Sequence, residues 1–267
     1  IEVMRGPLSS VYGNHAGGVI QLFTKDGKGA PSIEGNFSAG SYGSWKTDLA
    51  SQGEIGGVGY VIDASRFHTD GYREHSSVTR DQTYAKLNFS PDSDSKITVL
   101  ANGFSQPQAQ DPLGLNWNAY KSNPRGVDPV ALQYDTRKSI EQMQGGVSYE
   151  HRFGLDTLSL SVYAGQRSVT QYQSIPKSTQ LITSTTPATS ANRKSSGGVI
   201  DFDRDYSGFN GRYTLKRDLA GGVLTTTFGF DYERSTDDRR GYENYVGNTL
   251  GVKGNLRRNE EDRVSSF

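Results

Sequence analysis

Apolar and polar residues alternate with a period of two along most of the chain from about Ser32 onward, the signature of strands that show two unlike faces. Helical spacing is almost absent. In Thr157 to Gly165 the residues Leu158, Leu160, Val162 and Ala164 fall on one face, and Thr157, Ser159, Ser161 and Gly165 on the other, where Tyr163 is the one large residue. Leu224, Thr226, Phe228, Phe230 and Tyr232 repeat the pattern, as do the stretches around Met143 to Glu150 and Phe209 to Lys216. Earlier strands are predicted over Ile33 to Gly40, Trp45 to Glu54, Gly59 to Phe67, Thr79 to Ser90 and Ile97 to Gln106. The total is nine strands and the start of a tenth, several of them longer than the roughly five or six residues usual in globular proteins.

The connections alternate in length. Short links are predicted at Ile55 to Val58, Pro91 to Ser95, Phe153 to Asp156 and Asp218 to Gly221. Long links are predicted at His68 to Val78, Pro107 to Asp135, Gln171 to Arg204 and Arg234 to Asn259; only Ser41 to Ser44 is short where a long one is due. A sheet trimmed at one end and elaborated at the other is the pattern of an outer-membrane barrel. A soluble sheet protein would have short connections at both ends. The predicted class is therefore all-β, a transmembrane antiparallel β-barrel.

Composition supports a folded chain without helical spans. Of 267 residues 33 % are hydrophobic, and no apolar run approaches the roughly 18 to 20 residues that a membrane-crossing helix needs. The 15 Tyr, 11 Phe and 2 Trp argue against disorder. With 29 basic and 29 acidic residues there is no bulk field to attract nucleic acid, so no nucleic-acid partner is expected. The absence of Cys removes disulfides and thiolate chemistry.

Residues 1 to 26 read as a strand (Ile1 to Met4), a turn at Gly6-Pro7, a helical turn over Leu8 to Tyr12, a glycine bend and a second strand from Val19 to Thr24. Ile1-Glu2-Val3-Met4-Arg5-Gly6-Pro7, Tyr12-Gly13 and Gly17-Gly18-Val19-Ile20 with Thr24-Lys25, in that order, resemble the end of the plug domain of TonB-dependent outer-membrane transporters. A passive porin or adhesin would lack this motif. Later stretches, among them Gly40-Ser41-Tyr42-Gly43-Ser44-Trp45, Gly71-Tyr72-Arg73, Gln133-Tyr134-Asp135-Thr136-Arg137-Lys138 and Arg240-Gly241-Tyr242-Glu243-Asn244, are similar to the branch of receptors for iron complexes and for pyrroloquinoline quinone.

The resemblance implies residues 1–26 as the C-terminal end of a plug and 27–267 as the first nine to ten strands of a barrel of about 22. It implies an internal fragment of a longer receptor, embedded in outer-membrane lipid. The implied function is active uptake of a scarce complex, foremost a ferric siderophore, with pyrroloquinoline quinone as the alternative. The implied partner is the TonB–ExbB–ExbD inner-membrane complex, reached through a segment before Ile1. No resident cofactor is implied, although the ligand can carry iron.

Other candidate chemistry is weak. Ser174-Ile175-Pro176-Lys177 matches a Ser-x-x-Lys nucleophile only in spacing. Asp201, Asp203 and Asp205 imitate a calcium loop, but Tyr206 and Arg212 stand where Gly and Glu are required. His15, His68, His75 and His151 lack metal spacing and read as solvated. No catalytic residue is assigned. The resemblance makes Arg5 a plug charge seeking a carboxylate on the wall, with Glu150 and Glu233 as possible partners. Aromatic and basic residues in the long links form the predicted ligand surface: Tyr72, Arg73 and His75; Trp117, Tyr120 and Arg125; Tyr172; and Arg239, Arg240 and Tyr242. Asp128-Pro129 is expected to cap a short helix in the third long loop.

Overall fold

The computed structural model describes residues 1–6, 17–180 and 195–267. The helical turn expected over Leu8 to Tyr12 and the residue His15 lie outside them. Two short strands open the chain, β1 (Glu2–Arg5) and β2 (Gly18–Gln21), and pair antiparallel. Then come β3 (Ser32–Ala39), β4 (Trp45–Ile55), β5 (Val58–Thr69), β6 (Val78–Phe89) and β7 (Ser95–Gln110). Helices α1 (Trp117–Ser122) and α2 (Pro129–Tyr134) precede β8 (Arg137–Phe153) and β9 (Asp156–Tyr172). After α3 (Lys177–Gln180) follow β10 (Val199–Leu219), β11 (Gly222–Tyr242), the small hairpin β12 (Tyr245–Val246) and β13 (Thr249–Leu250), and β14 (Leu256–Ser266).

Ten of these strands form one antiparallel sheet in the order β14-β11-β10-β9-β8-β7-β6-β5-β4-β3, so every expected strand is present and pairs with its sequence neighbour. Gly56 and Gly57, with φ of 58° and 80°, close β4 onto β5 in the two-residue turn that the twist of a hairpin requires. Pro107, which has no N–H to give a ladder, sits where the register of β7 slips between Gln106 and Ala109.

Register assigns the faces. Val58, Phe89, Ile97, Tyr149, Leu160, Gly211 and Phe230 are successive cross-strand partners, so they line one face of the sheet. The same face carries Phe37 and Leu49 on β3 and β4, Val162 on β9 and Phe228 on β11, all left exposed: 73 % for Phe37 and 60 % for Leu49 and Phe228. Large apolar side chains exposed in a continuous belt need an apolar solvent, and the belt is the lipid-facing side of a barrel wall. On β11 it runs from Leu224 to Tyr232, roughly 25–30 Å of strand.

Strands β7 to β11 are 16 to 21 residues long, beyond what lipid requires. Above the belt their outward face turns polar: Asp81, Ser105, Glu141, Ser168, Asp203, Asp238 and Glu261 are successive cross-strand partners. The wall continues past the bilayer at the end where the long loops lie, which corrects two expected links. Residues 199–204 and 234–242 are strand.

The two faces make opposite demands. In the full-length protein, Phe228→Arg is expected to cost about 2–4 kcal/mol by placing a charge in lipid. Thr227→Arg, one residue away on the other face, should cost under about 1 kcal/mol. Denaturant midpoints read from heat-modifiable electrophoretic mobility check the pair; equal costs would contradict the assignment.

Candidate functional site

The face opposite the belt carries the segment between β2 and β3, which makes it the lumen side. Asp26 pairs with Lys86 on β6 at 2.8 Å and with Lys96 on β7 at 2.7 Å. Lys86, nearly buried, also donates to the Thr24 carbonyl at 3.1 Å. The Tyr84 hydroxyl donates to Thr24 Oγ1 at 2.8 Å, and the Gly27 N–H to Asn88 Oδ1 at 3.2 Å. Gly27 lies so close to the backbone of Tyr60 that a Cβ would sit 2.2 Å from it, so only glycine fits. The two ammonium groups hold the Asp26 carboxylate at a pKa of about 2, Lys86 contributing most. The Gly29 carbonyl accepts from the Glu54 N–H of β4 at 2.9 Å, so residues 24–29 are a neck tied to four strands, β4 to β7. Of the residues expected to meet between plug and wall, Arg5 is exposed in β1, Glu150 lines the hollow beside Lys96, and Glu233 accepts from the Tyr163 hydroxyl at 2.9 Å.

At the other end of the sheet the loops are bound to one another. Arg73 spends its guanidinium on backbone: Nε on the Gly126 carbonyl at 2.9 Å, Nη1 on Leu113 at 2.5 Å and Nη2 on Pro112 at 3.1 Å. Arg125 donates Nε to the Tyr72 carbonyl at 3.1 Å and lies over the rings of Tyr42 and Tyr72, 5.3 and 5.9 Å from their centroids. His75 is buried and bonds the Thr136 carbonyl at 2.9 Å; with His151, which bonds Ser95 Oγ at 2.8 Å, it departs from the expected solvated state. The Asp128 side chain accepts from the Val130 N–H at 2.9 Å and caps α2 as expected.

Four of the expected ligand residues converge. Tyr72, Arg73, Trp117 and Tyr120, with Leu115 and Pro124, line a hollow of about 560 Å³. The Trp117 and Tyr120 rings stack one helical turn apart, centroids 5.6 Å and planes 19° apart, and both are exposed. Tyr172 ends β9 under the Arg137 guanidinium, 3.7 Å from its ring centroid. Arg239, Arg240 and Tyr242 are strand residues of β11 and not loop residues; Arg240 pairs with Asp238, and Tyr242 lies under Lys253, 4.1 Å from its ring centroid. Asp201, Asp203 and Asp205 alternate along β10, Asp201 ion-paired with Lys253, and no cluster able to hold a metal occurs among the described residues. Lys177 of the Ser-x-x-Lys match lies over the Tyr245 ring, 4.8 Å from its centroid.

Sequence reasoning missed Asp26 and a second lock, in which Gln180 and Asn244, both fully buried, bond each other at 2.7 Å and tie the loop after β9 to the loop after β11. Neither lies in a periodic pattern. The one available signal was a lone acid, Asp26, between Lys25 and Lys28 just before the first long strand.

No model of a known protein family matches the chain. Solved structures do. The chain aligns with the ferripyoverdine receptor of the outer membrane of Pseudomonas aeruginosa at a TM-score of 0.70 and 12 % identity, over 94 % of this chain and 35 % of that one. The siderophore receptor PiuA from Acinetobacter baumannii gives 0.67 and 15 %, over 97 % and 37 %. The ferric-catecholate import receptor Fiu from E. coli K12 gives 0.70 and 14 %, over 96 % and 43 %. The likeness is one of fold. The chain spans between a third and a little over two-fifths of the length of these structures.

Two outcomes are expected in the full-length protein. Asp26→Asn leaves Lys86 buried beside a neutral partner, and exchange of the Gly27 amide should rise about tenfold or more at neutral pH. Because the folded pKa of Asp26 is depressed from 3.8 to about 2, the attachment is complete above about pH 4 and is lost as pH falls towards 2. Exchange that does not respond to the substitution would contradict the anchor. Arg73→Lys, which cannot span three carbonyls, should increase protease cleavage between residues 111 and 127 several-fold, while Lys121→Gln leaves it unchanged.

Proposed function

We propose, on a fold shared with TonB-dependent outer-membrane receptors, that the protein takes up a scarce small-molecule complex across the bacterial outer membrane by energised transport. The foremost cargo is a ferric siderophore. One observation carries the reading: the segment after the opening strand pair enters the lumen side and is ion-paired to the wall through Asp26. A passive pore has no use for such a tether, whereas a plugged barrel needs one. Residues 1–26 then close the plug and 27–267 open the barrel.

The geometry supports a division of labour. The hollow of Tyr72, Trp117 and Tyr120 offers aromatic faces at the outer end, with Arg73 and Arg125 holding the loops that present them. The TonB–ExbB–ExbD complex would draw on the plug from the opposite side, and Arg5, Glu150 and Glu233 are groups available to hold it in between. The protein acts by binding and release, and no bond of the cargo is made or broken. The parallel faces of Trp117 and Tyr120 also favour a second reading, uptake of the flat pyrroloquinoline quinone by the same route.

Cells carrying the full-length protein should accumulate radiolabelled iron from one member of a ferric-siderophore panel, and lose that uptake when TonB is deleted. Trp117→Ala together with Tyr120→Ala should weaken binding about tenfold or more in titration calorimetry. Uptake that persists without TonB would contradict energised transport. Submicromolar binding of pyrroloquinoline quinone with none of any siderophore would select the second reading.

A further inference from the structure

Both faces of the sheet are committed, one to lipid and one to the lumen, so the sheet encloses no apolar core. Among the described residues the buried apolar side chains are Ala131, Tyr134, Val199 and Tyr245, all at the long-loop end, and the largest fully buried side chains, Gln180, Val199, Asn244 and Thr136, are there too. They come from different connections. Ala131, Tyr134 and Thr136 belong to the one after β7, Gln180 to the one after β9, and Asn244 and Tyr245 to the one after β11. A connecting segment that only runs over a surface buries little. Here several loops supply one core that none of them closes alone.

Hydrogen bonds join the loops in series. The connection after β3 meets the one after β5 where the Asp70 N–H donates to the Tyr42 carbonyl at 3.0 Å. The connection after β5 meets the one after β7 through Arg73, through the Glu74 N–H on the Arg125 carbonyl at 2.9 Å, and through His75 on the Thr136 carbonyl. Thr136 in turn donates its hydroxyl to the Asp111 carbonyl at 2.6 Å, which ties the two ends of that loop together. Helix α2 carries the series onward. The Tyr134 hydroxyl accepts from the Lys177 N–H, in the loop after β9, at 3.1 Å. Gly251, in the loop after β11, lies so close that a Cβ would sit 2.9 Å from the Tyr134 carbonyl oxygen. The Gln180–Asn244 pair, with Asn244 Nδ2 donating to the Gln173 carbonyl at 2.7 Å, closes the series.

We infer that the connections after β3, β5, β7, β9 and β11 form one preformed cap that opens only as a whole, with α2 at its centre. Lifting any one loop strands buried polar groups of its neighbour, Gln180 without Asn244 or His75 without the Thr136 carbonyl, and an unsatisfied buried group is costly. An opening therefore spreads along the series instead of stopping at one loop. The hollow of Tyr72, Trp117 and Tyr120 belongs to the same unit, since Arg73 and Arg125 fix its walls. A solute that enters it meets a site already in shape, and these loops do not fold over the solute to complete it. The affinity that ordering mobile loops would consume is thereby kept. The inference rests on the transport reading only in taking that hollow as a cargo site.

The test is amide hydrogen exchange of the full-length protein in detergent, read at one hydrogen-bonded amide in each junction: Asp70, Glu74, Thr136, Gln173 and Gly251. Their protection factors are expected to agree within about threefold, as for a single cooperative opening. Arg73→Lys, towards one end of the series, should raise exchange at Gly251, at the other end, by the same several-fold factor as at Glu74. Tyr134→Phe keeps the buried ring and removes only the hydroxyl, and it should raise all five by one common factor. The Gly27 amide of the neck should respond to neither substitution. Each variant is checked for heat-modifiable mobility. Exchange that rises only at Glu74 in Arg73→Lys, or only at Gln173 in Tyr134→Phe, would show separate loops and overturn the cap. Loss of cellular iron uptake with the common exchange intact would count against the transport reading and leave the cap standing.

Discussion

A strand that crosses lipid must satisfy its backbone on its neighbours and offer the bilayer only apolar side chains, and everything else in this wall is arranged around that demand. Ten strands meet it by pairing in strict sequence order. Because side chains alternate, the half of the residues that lipid does not claim is free for the lumen. Phe228 and Phe230 face lipid, while Asp231, the next residue, and Glu233 in the same strand face the lumen. A single physical constraint thus separates the residues that hold the protein in its solvent from those available for function.

The lumen residues fall into two groups with different tasks. At the short-turn end they fasten the neck. Asp26 between two ammonium groups, and Gly27 pressed on the Tyr60 backbone, leave the neck one position against β4 to β7. At the long-loop end the polar groups fasten loops to loops, so that Arg73, Arg125 and His75 serve the frame that presents Tyr72, Trp117 and Tyr120. Next to the loops, at the outer end of the strands, lie Arg80, Lys138 and Arg167, which no carboxylate of the described residues neutralises.

The strands were legible in the sequence because lipid imposes a period of two on apolar residues, as in Leu158 to Ala164 and Leu224 to Tyr232. That signal stops where the wall leaves lipid. Beyond Tyr232 and before Phe209 the outward face turns charged, with Asp201, Asp203, Asp205 and Asp238, so residues 234–242 and 199–204 read as loop although the ladder continues through them. The cap of α2 was legible because Asp128-Pro129 encodes it locally. The roles of Arg73 and His75 were not, since an arginine that binds three carbonyls of a loop about 40 to 50 residues away looks in sequence like one that awaits an anion. Asp26 was missed for the same reason, its two partners being 60 and 70 residues distant.

The central claim is that one face of these strands meets lipid and the other the lumen. The chain has no Cys, so a single introduced cysteine is a clean reporter. With spin labels at consecutive positions from Leu224 to Glu233 of the full-length protein in bilayers, accessibility to oxygen and to a water-soluble nickel chelate should alternate with a period of two. Oxygen should be favoured at Phe228 and Phe230, and the nickel chelate at Thr227 and Asp231. Uniform access to the nickel chelate along the strand, or oxygen maxima at Thr227 and Asp231, would contradict the account.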